Sequence, residues 1–161
     1  MTMPPLIRPA VATDVPQILA FIRALADYEK LAGDVTADAA QLRSTLFPGE
    51  GTPAAYCVLA FAEGAPAGFA IYFFNYSTFL AKPGLYLEDL FVSPEFRGRG
   101  IGKALLLHLA QLANAQGCGR MEWTVLDWNQ SAIDFYEAVG ARRMTEWQIC
   151  RLTGAALARY A

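Results

Sequence analysis

LYLEDLFVSPEFRGRGIGK, residues 85–103, decides how this chain is read. Leu85 to Val92 is predicted as a strand, apolar and β-prone apart from two adjacent carboxylates, Glu88 and Asp89. Ser93, Pro94, Glu95 and Phe96 turn the chain. Arg97 to Gly102 is a glycine-rich loop, and a strongly apolar helix is predicted from Ile101 to Gln116, closed by Gly117. Such a loop between strand and helix suits an anion such as phosphate. Glycines let backbone N–H groups approach closely, and the helix N-terminus carries about half a positive charge. Arg97, Arg99 and Lys103 add full charges. A tight turn with surface arginines is the plain structural alternative. The nucleoside-triphosphate loop GxxxxGK[ST] is absent. The spacing is not GxGxxG either, which argues against a dinucleotide fold.

Outward from this stretch the pattern alternates strand and helix. Leu6 to Arg8 is predicted as a first strand. A helix capped by Thr13 follows, with Val15, Ile18, Leu19, Ile22, Leu25 and Ala26 at helical spacing. A second helix is predicted from Thr36 to about Phe47. Ala55–Glu63 and Ala67–Tyr76 read as a hairpin, and Ser77–Gly84 as a loop. After the long apolar helix, Met121–Leu126 is predicted as a strand. Asn129 caps a helix to about Val139, which Gly140 closes. Two short strands, Arg142–Thr145 and Trp147–Leu152, are expected at the end. The predicted fold class is mixed α/β: a mostly antiparallel sheet with helices on both faces and one parallel strand–helix–strand unit over residues 85–126. With no repeat, linker or low-complexity tract, residues 1–161 are expected to form one domain.

Composition narrows the class. The chain has 161 residues, of which 55% are hydrophobic and 17% charged, against about 25% charged in an ordinary domain. That excludes a disordered or highly solvated module. The net charge of −2 offers no footprint for nucleic acid or an anionic membrane. One histidine, His108, excludes a multi-histidine metal site, and no metal is expected. The three cysteines, 57, 118 and 150, form no CxxC pair and no disulfide framework. The N-terminus lacks the pattern of a signal peptide, and no apolar run spans a bilayer, so a cytoplasmic setting is expected.

The loop pattern Arg97-x-x-Gly100-x-Gly102 resembles the [Q/R]-x-x-G-x-[G/A] acyl-CoA loop of the GNAT superfamily of N-acetyltransferases. Val92-Ser93-Pro94 before it is similar to the same superfamily. So is the segment Asp127 to Tyr136 followed by Val139-Gly140-Ala141. Tyr86-Leu87-Glu88-Asp89, Asp127-Trp128-Asn129-Gln130 and Tyr28-Glu29-Lys30-Leu31 resemble the spermidine/spermine acetyltransferase branch. Tyr76-Ser77-Thr78 and Leu126 to Gln130 are closer to its thialysine acetyltransferase type. Polyamine enzymes carry an acidic residue and a tryptophan where this chain has Ser77 and Phe79, which favours a shorter amine.

The resemblance implies acetyl transfer from acetyl-CoA to a primary amine, a homodimer, and a set of site residues. Gly98, Arg99, Gly100, Ile101, Gly102 and Lys103, with Arg97, would bind the pyrophosphate. Main-chain groups of Phe91 and Val92 would hold the pantetheine arm, and Leu90 N–H would stabilise the oxyanion. Asn129 and Ser131 would touch the cofactor from the second motif. Tyr136 would act as general acid on the thiolate, which its phenol suits. Its alternative is a core aromatic on the face of Ile133 and Val139.

An alkylammonium near pKa 10 must lose a proton before it attacks, so a base is needed. Glu88 is the candidate, since partial burial in an apolar strand would raise its pKa. An ion pair or a strand-edge cap is the structural alternative for Glu88 and Asp89. Successive side chains alternate, so both can serve one pocket only where a bulge re-aims one, and the resemblance implies a bulge here. Tyr28, Glu29, Glu88 and Asp89 would bind the cation, with Trp123 on the neighbouring strand. Two other readings share these residues: a peptide N-terminal acetyltransferase, and an acyl-CoA sensor without turnover.

Overall fold

The computed structural model describes residues 3–161. Five strands form one sheet in sequence order: β1 (Leu6–Pro9), β2 (Tyr56–Ala62), β3 (Ala65–Ser77), β4 (Lys82–Val92) and β5 (Arg120–Glu122). The first four pair antiparallel, and β5 lies parallel to β4. Five helices accompany them: α1 (Val15–Tyr28), α2 (Ala39–Leu46), α3 (Ile101–Ala115), α4 (Gln130–Ala138) and α5 (Gly154–Ala158). By contacts the chain divides into two compact units, residues 1–124 and 125–161.

In the first unit the sheet has helices on both faces. Ile71, Phe69 and Phe91 fall on one face and pack with Val15, Ile18, Leu19 and Phe21 of α1 and with Leu42 and Leu46 of α2. Phe21 stacks on Phe69 at 5.4 Å and tilts against Phe91 at 6.1 Å. Burying each such side chain contributes roughly 1.5–3 kcal/mol. The opposite face carries Leu90 and Val92, and there α3 begins. A Cβ built on Gly102 would lie 3.7 Å from Val92 Cγ2 and 3.8 Å from Leu90 Cδ2. Ile101, Leu105, Leu106, Leu109 and Ala113 form the buried stripe of α3, as its spacing requires.

Local chemistry moves some helix starts. Thr13 does not cap α1. A single 3₁₀ turn (Ala12–Asp14) precedes that helix, and the Asp14 carboxylate accepts the Val11 N–H at 2.8 Å while pairing with Arg8 at 2.7 Å. The second helix begins at Ala39 rather than Thr36. Asp38 accepts from Gln41 N–H at 2.8 Å, and Gln41 Oε1 accepts the Asp38 N–H at 2.9 Å, a reciprocal cap. The expected loop from Ser77 to Gly84 shortens to a turn at residues 78–81, because β3 and β4 pair out to Ser77 and Lys82.

Residues 121–126 were expected as a strand, but pairing stops at Glu122, opposite Tyr86. Trp123 therefore lies beyond the ladder. In the second unit Asn129 caps α4, its Oδ1 accepting from Ala132 N–H at 3.4 Å, and Gly140 follows with φ +95°. The strands expected at 142–145 and 147–152 do not form; a turn at Met144–Trp147 and the short α5 follow instead. Strand-like composition lacks a ladder partner there, and a lone hairpin is marginal in water.

Candidate active site

The site is organised by an irregularity in β4. Leu87 pairs with Tyr72 and Asp89 with Ile71, so Glu88 is an extra residue with no partner on β3. This is a β-bulge, which flips the facing of every residue after it. Leu85 and Leu87 share a face with Leu90 and Val92. Asp89 joins Phe91 on the face that α1 covers.

The two adjacent carboxylates consequently meet different surroundings. Glu88 is exposed, and Asp89 is half-buried. The partial burial expected at Glu88 falls on Asp89 instead. Burial first, then the negative charges of Glu88 and Glu29, push the Asp89 carboxyl up to about 6. Burial also raises the Glu29 carboxyl, which sits just past the end of α1. Glu29, distant in sequence, thus joins Glu88 and Asp89 in one acidic group that a cation would relieve. Among the described residues no cluster of His, Cys, Asp or Glu is placed to hold a metal ion.

Beside this group, β4 has a free edge. β5 pairs only with Gly84, Leu85 and Tyr86, so no strand lies against Leu87–Val92 on that side among the described residues. Leu90, Phe91 and Val92 lie within that stretch. The glycine loop continues from it. Gly98 has φ +75° and Gly100 φ +77°, and a Cβ at either would meet open space. Gly100 occupies the N-cap of α3 with no side-chain cap, leaving the first N–H groups of the helix to an outside acceptor. Ile101 is buried beneath the loop, while Lys103 is exposed.

The two arginines of the loop are engaged elsewhere. Arg97 Nε donates to the Val92 carbonyl at 2.9 Å, and its guanidinium lies 4.9 Å from the Tyr28 ring and 5.5 Å from the Phe91 ring. Arg99 pairs with Glu63 in the turn between β2 and β3, at 3.0 Å, and covers Phe96 at 5.4 Å. Glu63 was invisible to motif reading, since it stands far from Arg99 in sequence. Trp123 is half-buried. In the second unit, Ser131 Oγ donates to Asn129 Oδ1 at 3.2 Å, and Tyr136 is half-buried against Phe135 at 5.4 Å. Cys57 is buried, and burial pushes its thiol up to about 12, which leaves it inert. Burial also raises the Cys118 thiol.

Residues 17–141 match the Acetyltransferase (GNAT) family. The chain belongs to that family. It is 40% identical to the thialysine N-epsilon-acetyltransferase of Bos taurus over 94% of each chain. It is 53% identical to L-ornithine N5-acetyltransferase NATA1 of Arabidopsis thaliana over 56% of this chain and 40% of that one. An integron cassette protein from the mobile metagenome of V. cholerae superposes with a TM-score of 0.78, at 27% identity over 98% of both chains. The GNAT assignment makes the chain an acetyltransferase with acetyl-CoA as co-substrate. The open positive-φ glycines and the uncapped start of α3 fit that co-substrate's phosphates. Among the described residues no helix is long and apolar enough to cross a membrane.

Proposed function

We propose that this GNAT chain moves the acetyl group of acetyl-CoA to the primary amine of a small cationic substrate: thialysine, a lysine-like amino acid, or a diamine or polyamine. The observation that carries this reading is the acidic group of Glu29, Glu88 and Asp89 at the β4 bulge. A carboxyl raised by burial and by two neighbouring negative charges suits an alkylammonium, which relieves that repulsion on binding. The names of the bovine and Arabidopsis relatives point the same way, since thialysine and ornithine are short amino acids with a terminal amine.

In this reading the amine attacks the thioester carbonyl directly, in a ternary complex. The ammonium first gives its proton to the Glu88–Asp89 pair, directly or through a water. Asp89, near 6, is the member tuned towards neutral pH; Glu88, free on the bulge, is the member able to reach a substrate. The C–N bond forms, the C–S bond breaks, the thiolate takes a proton from a side chain, and the nitrogen's second proton leaves through water to restore that donor. We assign the donor role to Tyr136, on its place in the Asn129–Ala141 segment and the chemistry of a phenol. Gly98 to Lys103 would hold the pyrophosphate and the free edge at Leu90–Val92 the pantetheine arm, with Leu90 N–H on the oxyanion. Asn129 and Ser131 would complete the cofactor contacts, and Tyr28 and Trp123 the amine contacts. Residues 1–161 act as one acetyltransferase domain, and as a homodimer in the cytoplasm. The exposed Phe74, Tyr76 and Phe79 support the dimer, which sedimentation of the full chain tests.

The deciding experiment is acetyl transfer measured side by side on thialysine, lysine, ornithine, diamines, polyamines and peptides with free N-termini. Turnover is expected on the short amines. Turnover on peptides alone would overturn the proposal, as would tight CoA binding without turnover. Tyr136→Phe is expected to lower kcat at least tenfold; a wild-type rate would remove Tyr136 from the chemistry.

A further inference from the structure

Arg97 opens the loop motif, so its guanidinium is the natural candidate for a phosphate ligand. The geometry gives it another task. Its Nε is committed to the Val92 carbonyl at 2.9 Å, where β4 ends. Its guanidinium lies over two rings, Phe91 at 5.5 Å and Tyr28 at 4.9 Å. Phe91 is buried on the α1 face of the sheet, whereas the first turn of α3 packs on Leu90 and Val92 of the other face. The charge of Arg97 is therefore drawn towards the end of α1, away from the face on which α3 begins.

Tyr28 is the last residue of α1, and Glu29 follows it directly. Glu29 is one of the two carboxylates whose charge raises Asp89. The chain beyond makes helix-end bonds: Glu29 N–H to Leu25 O at 2.9 Å, Lys30 N–H to Asp27 O at 3.1 Å and Leu31 N–H to Ala26 O at 2.8 Å. Lys30 adopts φ +62°, a strained value for a residue with a side chain. A restraint on this strained helix end also places a site carboxylate. The Tyr28 ring beneath Arg97 supplies one.

We propose that Arg97 is a positioning residue that ties the acyl-CoA loop to the amine-binding wall, by clamping Tyr28 and so placing Glu29. This rests on the amine-acetyltransferase reading of the same site. The clamp makes the two binding sites one mechanical unit. A loop shaped by acetyl-CoA sets Arg97, Arg97 sets Tyr28, and linkage requires the amine to favour acetyl-CoA binding by the same factor.

The test is a double-mutant cycle with Arg97→Met and Tyr28→Leu, in which the KM of the best amine and the calorimetric Kd of acetyl-CoA are read separately. Arg97→Met is expected to raise the amine KM about tenfold, the scale of two ring contacts and one charged hydrogen bond, and to change the acetyl-CoA Kd less than about twofold. Tyr28→Leu should raise the amine KM similarly, and the double variant no further. Arg97→Lys, which keeps charge over the rings but cannot keep the same bond to Val92, should fall between. Amide exchange at residues 29–31 should quicken in Arg97→Met. A tenfold loss of acetyl-CoA affinity with an unchanged amine KM would make Arg97 a phosphate ligand and overturn the clamp. Multiplying rather than saturating effects in the cycle would overturn it too. If wild-type protein acetylates no amine, the function proposal fails on its own. Exchange at 29–31 and acetyl-CoA affinity still decide on the clamp, and unchanged exchange would sink it.

Discussion

Asp89 stands opposite Ile71 on the α1 face of the sheet only because Glu88, its neighbour, bulges out of the β3–β4 ladder. The facing change moves one carboxylate towards the core and leaves the other in solvent. With Asp89 near 6, its proton affinity in the fold exceeds that of an unfolded chain near 3.8. The folded state then holds more protons than the unfolded state between those values, so stability falls as pH rises through about 4 to 6 and stays lower above. Asp89→Asn is expected to raise Tm at pH 7.5 but not at pH 4, with a gain in stability on the order of 1–3 kcal/mol at the higher pH. The same substitution should depress kcat/KM for the amine at least tenfold and remove an acid limb near pH 6 from its pH profile. Equal Tm shifts at both pH values would show that Asp89 is not held protonated by the fold.

That bulge marks the limit of what residues 85–92 disclose. Their composition predicts a strand, and the strand forms, but nothing within it says which residue lacks a partner. The register comes from Ile71 and Tyr72 on β3, and only the family resemblance pointed to a bulge. Beyond the starts of α1 and α2, local signals transferred well. Asn129 caps α4, Gly140 takes the positive φ that its closing position suggested, and Ile101 opens α3. Long-range pairings did not transfer. No motif couples Arg99 to Glu63 or Arg97 to Tyr28. Trp147 and Ile149 have strand-like character but lie exposed without a ladder, because β-propensity needs a neighbouring strand to express it.

The glycines of the loop should separate by conformation. Gly100, at φ +77°, has open space around a Cβ but a backbone that L side chains avoid. Gly100→Ala is expected to destabilise by about 1–2 kcal/mol and to weaken acetyl-CoA binding. Gly102 carries no positive φ, and its Cβ would make ordinary contacts with Val92 and Leu90. Gly102→Ala should leave acetyl-CoA affinity within about threefold and Tm unchanged or raised, since Ala favours helix by up to about 1 kcal/mol. Calorimetry and thermal melts on the two variants check the contrast. Equal losses would mean that the loop discriminates by volume rather than backbone.

Glu63 competes for the arginine that the loop presents to phosphate. The Glu63–Arg99 pair is exposed, so it is worth about 0–1 kcal/mol to the fold. Arg99 must leave it to reach an anion at Gly98–Gly102. Glu63→Gln is expected to lower the acetyl-CoA Kd about two- to fivefold at low salt, with Tm nearly unchanged and kcat unaffected. The gain should shrink as salt rises, because screening weakens the competing pair first. An unaltered or higher Kd would show that Arg99 takes no part in binding the co-substrate.

Arg8 and Asp14 make the last case, one of stability alone. Arg8 donates two bonds to the Asp14 carboxylate, at 2.7 and 3.0 Å, and the same carboxylate accepts the Val11 N–H. The side-chain bond from Arg8 is the main cause that holds the Asp14 carboxyl below the usual range; burial opposes it, and the Val11 bond reinforces it. A depressed folded value means that its stabilisation is present above the unfolded pKa near 3.8 and is lost as pH falls through the folded one. Asp14→Asn keeps an acceptor for Val11 but loses the paired charge, and should cost about 1–2 kcal/mol at pH 7. At pH 3 the deficit should shrink, since the wild-type carboxyl is then partly protonated too. The turn before α1 would loosen without touching the acidic group near β4, so kcat should hold at temperatures well below Tm. Denaturant melts at both pH values check this. A deficit that grew on acidification would contradict the pairing.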